Sequence, residues 1–120
     1  MKPALSPPAV LFPIVWTILY AMMGIGAARI AAARDGRGRL QALNVFVIQL
    51  VVNFFWSLIF FNAQALGAAF FWLLLLWVLI IVMVFRFYRV DRAAALVLIP
   101  YFLWVSFAAW LNYAVWQLNK

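Results

Sequence analysis

Residues 40 to 85 read LQALNVFVIQLVVNFFWSLIFFNAQALGAAFFWLLLLWVLIIVMVF, and no position in this stretch carries a charge. A single helix of that length would run roughly 69 Å at 1.5 Å per residue. The hydrocarbon core of a bilayer is about 30 Å thick. The stretch must therefore fold back on itself. Asn62-Ala63-Gln64-Ala65-Leu66-Gly67 is its polar, glycine-containing break. Two membrane-crossing helices joined by a hairpin are the expected product.

The same reading extends outward in both directions. Ala93 to Asn119 is also free of charge, and a further apolar segment runs from about Ala9 to Ala33. Lys2 ahead of an apolar run has the look of a signal peptide, but the run exceeds the usual core of about 7–15 residues. Four spans follow, at about 9–33, 41–61, 67–88 and 93–117. The fold class is all-α, a polytopic membrane bundle forming one domain over residues 1–120. Composition agrees: the chain is 72% hydrophobic and 9% charged, with mean hydropathy +1.14. Soluble domains are about half apolar and a quarter charged.

The net charge of +7 raises a nucleic-acid reading, which the placement of the charges opposes. Arg29, Arg34, Arg37 and Arg39 cluster after the first span, and Arg86, Arg89 and Arg92 between the third and fourth. Both clusters fall on one side of the membrane. Only Lys2 and Lys120 fall on the other. By the positive-inside rule, loops 34–39 and 86–92 face the cytoplasm and both termini lie outside. The inner membrane of a bacterium is the expected location. Membrane lipid is an expected partner and nucleic acid is not.

The chain has no cysteine, histidine or glutamate, and its acids are Asp35 and Asp91, both in the basic loops. Cysteine therefore says nothing of redox compartment. The last span is the richest in side-chain chemistry. From Pro100 to Trp116 it holds three tryptophans, two tyrosines, a serine and an asparagine. Tyr101, Trp104, Ala108 and Leu111 share a face there, with Asn112 adjoining it, and small Ala108 leaves room beside the aromatics. Pro100 sits early in its helix, where a missing N–H does least harm.

In the second span Gln49, Asn53, Trp56, Ser57 and Phe60 follow 4, 3, 1 and 3 spacing, one helical face. Polar groups inside a span need partners, so this face should look into the bundle. Interhelical hydrogen bonding explains such residues without any ligand. Val47, Leu50, Val51, Phe54 and Leu58 on the opposite side suit lipid. In the first span Trp16 and Tyr20 lie four apart with Thr17 between them, and Pro7, Pro8 and Pro13 mark its entry. An interfacial aromatic belt is the plain alternative for these rings. Ala21, Gly24, Ala28 and Ala32 form a small-residue stripe that permits close helix approach. Trp72 and Trp77 in the third span read as packing or belt residues. Three spans thus offer an inward aromatic and amide surface, suited to a flat, largely apolar ligand. Tight aromatic packing is the bland alternative.

These stretches resemble the translocator protein family, also called tryptophan-rich sensory protein or TspO. The resemblance is carried by Pro7-Pro8 with Phe12 and the run Trp16 to Gly24, by Asn53 to Phe61, by Phe87 to Arg92, and by Pro100 to Trp116. It covers nearly the whole chain. It implies a ligand cavity lined by Trp16, Tyr20, Asn53, Trp56, Trp104 and Ala108, with Phe107 and Leu111 nearby. The implied ligands are porphyrins and haem, and in animals cholesterol and synthetic drugs. The implied assembly is a homodimer or larger homo-oligomer. No cofactor is required; a porphyrin or haem is a ligand.

The chain departs from the family pattern in three ways. The family has five spans, and this sequence begins at the family's first loop. Leu5 and Val10 stand where that loop often carries tryptophan. The cholesterol-recognition pattern around Leu111 and Tyr113 continues with Gln117, and Lys120 is too distant to complete it.

The expected function is therefore an intramembrane receptor or carrier for tetrapyrroles. A proton-coupled exporter needs an ionisable group within the membrane, and no Asp, Glu or His lies within these spans. A porphyrin-degrading enzyme would lack the His, Cys and Glu that acid–base and nucleophilic roles use. Enzymatic activity is thus disfavoured, with no catalytic residue and no metal ligand named. A purely structural membrane protein is what remains if the inward aromatics bind nothing.

Overall fold

The computed structural model describes residues 11–33, 36–59 and 66–118. Among the described residues the helices are α1 Leu11–Ala31, α2 Gly36–Ser57, α3 Leu66–Val90, α4 Arg92–Leu96 and α5 Ile99–Leu118. Among the described residues there is no strand. Among the described residues, four segments are long and apolar enough to cross a membrane: Leu11–Ala31, Gly38–Ser57, Gly67–Val90 and Arg92–Leu118. The bundle is 49 Å long and 23 by 19 Å across. The N-terminal prolines Pro7 and Pro8, Leu5 and Val10 lie outside the described residues, as does the expected hairpin break from Asn62 to Ala65. Leu66 and Gly67, the other end of that break, already belong to α3.

α1, α3 and α5 each carry a buried seam at alternating spacings of three and four. In α3 it is Ala69, Leu73, Leu76, Ile80, Met83 and Phe87; in α1 it is Leu19, Met23, Gly26 and Ile30; in α5 it is Tyr101, Val105, Ala108 and Asn112. That period keeps a single face of a helix against its neighbours. Large apolar residues on the other faces, such as Ile18, Ile25, Val51, Phe54, Phe71 and Val78, are exposed and suit lipid. Leu50, expected on the lipid side of the second span, instead packs partly buried against the core.

The fourth span departs from a single continuous helix. α4 ends at Leu96, residues 97 and 98 form a turn, and α5 starts at Ile99. Pro100 explains the break. It has no N–H to give the carbonyl of Leu96, and its ring would crowd that carbonyl. Val97 N–H reaches Ala93 O at 3.1 Å and Leu98 N–H reaches Ala95 O at 3.0 Å, closing the end of α4. Pro100 then stands in the first turn of a new helix, where the lost donor is an orphan anyway.

The small-residue stripe on α1 also turns out differently from a contact within the chain. Ala21, Gly24, Ala28 and Ala32 are exposed, and a Cβ at Gly24 would meet nothing within 4 Å. Close approach falls on Gly26 instead. A Cβ there would lie 3.2 Å from Val97 Cγ2 and 3.3 Å from the Ala94 carbonyl, so α1 crosses the α4 region at a glycine.

Polar bonds lace the basic end. Arg29 donates to both carboxylate oxygens of Asp91, at 2.7 and 3.3 Å. Asp91 also caps α4 by accepting from Ala93 N–H. Arg39 donates to the carbonyls of Ala31 and Ala33, which the end of α1 leaves open. Arg86 donates to Gln41 Oε1 at 2.9 Å, tying the end of α3 to the start of α2.

Candidate functional site

Helices α1, α2 and α5 converge on a core that is polar at its centre and aromatic around it. Asn53 and Gln49, one turn apart on α2, are 1% and 0% exposed. Buried amides must have their bonding capacity met, and here other helices meet it. Asn53 Nδ2 donates to the Tyr101 hydroxyl at 2.8 Å, and that hydroxyl donates to Gln49 Oε1 at 2.7 Å. The Tyr20 hydroxyl donates to Asn53 Oδ1 at 3.3 Å, and Gln49 Nε2 reaches the Met23 sulfur at 3.6 Å. The result is one directed chain, from Tyr20 through Asn53, Tyr101 and Gln49 to Met23. It begins and ends on α1.

The Trp16 ring lies beside this chain. Its centroid is 5.6 Å from Tyr20, 6.5 Å from Trp56 and 6.2 Å from Tyr101. Such separations are those of favourable edge and offset aromatic pairs. Trp56 is buried and its indole N–H donates to Asn112 Oδ1 at 3.3 Å, a second polar tie between α2 and α5. Tyr20 is 44% exposed, so its ring edges toward lipid while its hydroxyl reaches inward.

Trp104 stands in a separate aromatic group. Phe12, in the first turn of α1, meets it edge-on at 5.7 Å, and Phe107 lies at 5.5 Å. Phe107 continues to the exposed Trp110 at 5.9 Å. Ala108 and Leu111 are buried on the inward side of α5. Trp104 Nε1 is sealed from the surface and has no hydrogen-bond partner. An unmet buried donor costs about 1–3 kcal/mol. Other tryptophans of the bundle differ: Trp72 donates to Val52 O at 2.8 Å and Trp77 to the Ser106 hydroxyl at 2.9 Å.

The structure therefore brings Trp16, Tyr20, Asn53 and Trp56 into one cluster, and places Trp104 and Phe107 in an adjoining one. Two residues central to the first cluster, Tyr101 and Gln49, were not among the expected site residues. Their signals were present: Tyr101 shares the face of Trp104, and Gln49 precedes Asn53 by four. The polar groups of both clusters are hydroxyl, amide and indole. Among the described residues there is no group of three or more His, Cys, Asp or Glu.

Comparison with known proteins gives a consistent answer. Residues 1–117 match the model of the TspO/MBR family. The chain is 41% identical to the tryptophan-rich protein TspO of Chlorobaculum tepidum, over 99% of this chain and 76% of that protein. It is 37% identical to protein CrtK of Rhodobacter capsulatus, over 98% of this chain and 74% of that one. It is 35% identical to the translocator protein of Ovis aries, over 99% of this chain and 72% of that one.

Proposed function

The chain belongs to the TspO/MBR family, and from that membership we propose that it is an intramembrane receptor or carrier for porphyrin-type tetrapyrroles. It is an integral membrane protein with four helical segments, among the described residues, long and apolar enough to span. The observation that carries the reading is the convergence of Trp16, Tyr20, Trp56 and Tyr101 on the buried Asn53. Flat apolar ligands bind between broad aromatic walls with a few convergent polar groups. The rings touch one another here, so a ligand enters by parting them. Trp104, with its unmet donor, and Phe107 extend the same aromatic surface toward the start of α1.

The residues fit a porphyrin ring better than they fit its iron. Haem iron is usually held by His, Cys, Met or Tyr. The chain has no His or Cys, the Tyr20 and Tyr101 hydroxyls are committed, and the Met23 sulfur accepts from Gln49. Iron-free porphyrin should therefore bind about as tightly as haem.

The test is tryptophan-fluorescence quenching by protoporphyrin in detergent. Trp104→Ala and Asn53→Ala should each weaken binding while the protein stays folded, Trp104→Ala by about 1–3 kcal/mol on the scale of base–aromatic stacking. Unchanged affinity in both variants would remove the pocket assignment.

Two further parts of the proposal have their own tests. The basic loops are cytoplasmic and the termini outside. The sequence lacks cysteine, so single cysteines at the exposed positions Arg89 and Gln117 report cleanly. A membrane-impermeant thiol reagent should label the second in intact cells and spare the first. The protein also assembles as a homo-oligomer through the outward stripe Ala21, Gly24, Ala28 and Ala32. Light scattering should show a species larger than a monomer, shifted toward monomer by Gly24→Leu.

A further inference from the structure

We propose that the groove between α3 and the last span, at the basic end of the bundle, holds one anionic phospholipid, its phosphate against Arg89 and Arg92 and an acyl chain along the groove. Ile81, Val84 and Phe85 of α3 form one wall and Ile99 and Phe102 of α5 the other, around about 310 Å³. Every side chain in that lining is hydrocarbon. Both walls lead to an arginine. On α3, Ile81, Phe85 and Arg89 follow one another at spacings of four, a single stripe of the helix. On the other side the exposed Arg92 and Leu96, one turn apart on α4, lead to Ile99 and Phe102. Arg89 and Arg92 are both exposed, and neither has a hydrogen-bond or ion-pair partner among the described residues. The acid beside them in sequence, Asp91, is taken by Arg29. Arg86, by contrast, is spent on Gln41. Exposed Tyr88, the residue before Arg89, adds a hydroxyl at the membrane boundary.

The groove has the depth of one leaflet. Ile81 precedes Arg89 by eight residues of α3, about 12 Å at 1.5 Å per residue. Half of a bilayer's hydrocarbon core is about 15 Å. At mid-bundle the groove ends on a fixed ring pair. Trp77 stacks on Phe102 at 5.7 Å and donates to the Ser106 hydroxyl at 2.9 Å, which ties that floor to both helices. The mouth then selects the head group. Any lipid could supply the chain, but guanidinium groups bind phosphate oxygens through charge-assisted hydrogen bonds, and basic pockets between spans take anionic head groups. An ammonium head group, as on phosphatidylethanolamine or phosphatidylcholine, would bring a positive charge to the same two arginines. Phosphatidylglycerol brings none. A second copy of the chain has its contact elsewhere, since the α1 stripe proposed for self-association is no wall of this groove.

The experiment offers the purified chain, in a neutral detergent, phosphatidylglycerol and phosphatidylcholine with identical acyl chains. Native mass spectrometry counts the lipid each chain retains. The wild type should hold one phosphatidylglycerol, about 10- to 30-fold more tightly than phosphatidylcholine, the size expected for two basic residues meeting an anionic head group. Arg89→Gln combined with Arg92→Gln should abolish that preference. Ile81→Trp and, from the opposite wall, Ile99→Trp should fill the groove and lower phosphatidylglycerol retention about tenfold with both arginines in place. Helical circular dichroism should be unchanged in all three. Equal retention of the two lipids by the wild type, or a preference that survives loss of both arginines, would overturn the proposal. So would undiminished retention in both filled variants, which would leave the arginines attracting lipid only as a charged surface. Displacement of the lipid by an equal concentration of inorganic phosphate would overturn it in favour of a free-anion site. A shift from oligomer to monomer in the filled variants would overturn it in favour of a second copy.

Discussion

α3 meets its neighbours through Ala69, Leu73, Leu76, Ile80, Met83 and Phe87, none more than 1% exposed. α1 buries only Leu19, Met23, Gly26 and Ile30 over a similar length, and adds three polar ties: Tyr20 to Asn53, Gln49 to Met23, and Arg29 to Asp91. Both helices are apolar throughout their middle. They differ in how much packing backs their polar ties. α3 has ties of its own, Trp72 to Val52, Trp77 to Ser106 and Arg86 to Gln41, but a long buried seam stands behind them, and separating it forfeits dispersion along its whole length. α1 has a shorter seam and leans more on its directed bonds, which can exchange partners. The candidate site lies along α1 rather than along α3. A binding site in a bundle is best placed where one wall is attached by groups that can let go.

If that contrast is right, the largest stability loss belongs to α3. Ile80→Ala should lower stability by about 2–4 kcal/mol, the usual range for a buried large-to-small change, seen as a lower thermal midpoint in detergent. Porphyrin affinity of the folded fraction should hold. A comparable loss of affinity would mean that α3 shapes the site as much as α1 does.

Gly67→Val tests the same packed side by overfilling. A Cβ at Gly67 already falls 3.0 Å from the Trp116 ring, and Val adds two methyl groups beyond it. A loss of about 1–3 kcal/mol is expected, again with little effect on ligand. Next in size is Asn53→Leu, which removes the centre of the polar chain. Interhelical hydrogen bonds in membranes average about 0.6 kcal/mol and reach about 1.7. The stability change should fall in that range while porphyrin affinity falls further. A loss as large as that of Ile80→Ala would erase the distinction between the two sides.

The smallest effect concerns the clamp at the basic end. The hydrogen bond from Arg29 holds the Asp91 carboxyl below the usual aspartate range, helped by the N–H groups of Ala93 and Ala94 and opposed by partial burial. A lowered folded pKa means the ionised form is favoured by folding. The contribution is therefore present above the unfolded pKa and is lost as pH falls through the folded value. Wild-type stability should decline on acidification below about pH 4, and Arg29→Gln should flatten that decline. An unchanged profile would show that the pair does not fasten α1.

Much of this was legible in the sequence, for physical reasons. Lipid tolerates no charge and no open backbone, so the uncharged runs alone located the spans. Gln49, Asn53 and Trp56 could point only inward, and they do. What stayed hidden depends on neighbours. Gly24 and Gly26 are alike on paper, and only the rotation of α1 against α4 decides which is crowded. Pro100 suits the early part of a helix, but that a separate short helix stands before it depends on how the carbonyls preceding it are met. That Trp104 lacks a partner emerges only once every other donor has been assigned. The porphyrin class came from the family resemblance; spacing alone reached no further than a flat apolar ligand.

The clamp between Arg29 and Asp91 joins residues 62 positions apart. During synthesis α1 leaves the ribosome before α2 and α3, which adjoin in sequence and can pair as soon as both have emerged. α1 must wait for α2 to supply Asn53 and Gln49, and for the start of the last span to supply Asp91. It is made before the groups that fasten it. In the interval the insertion machinery, or lipid, must keep its company.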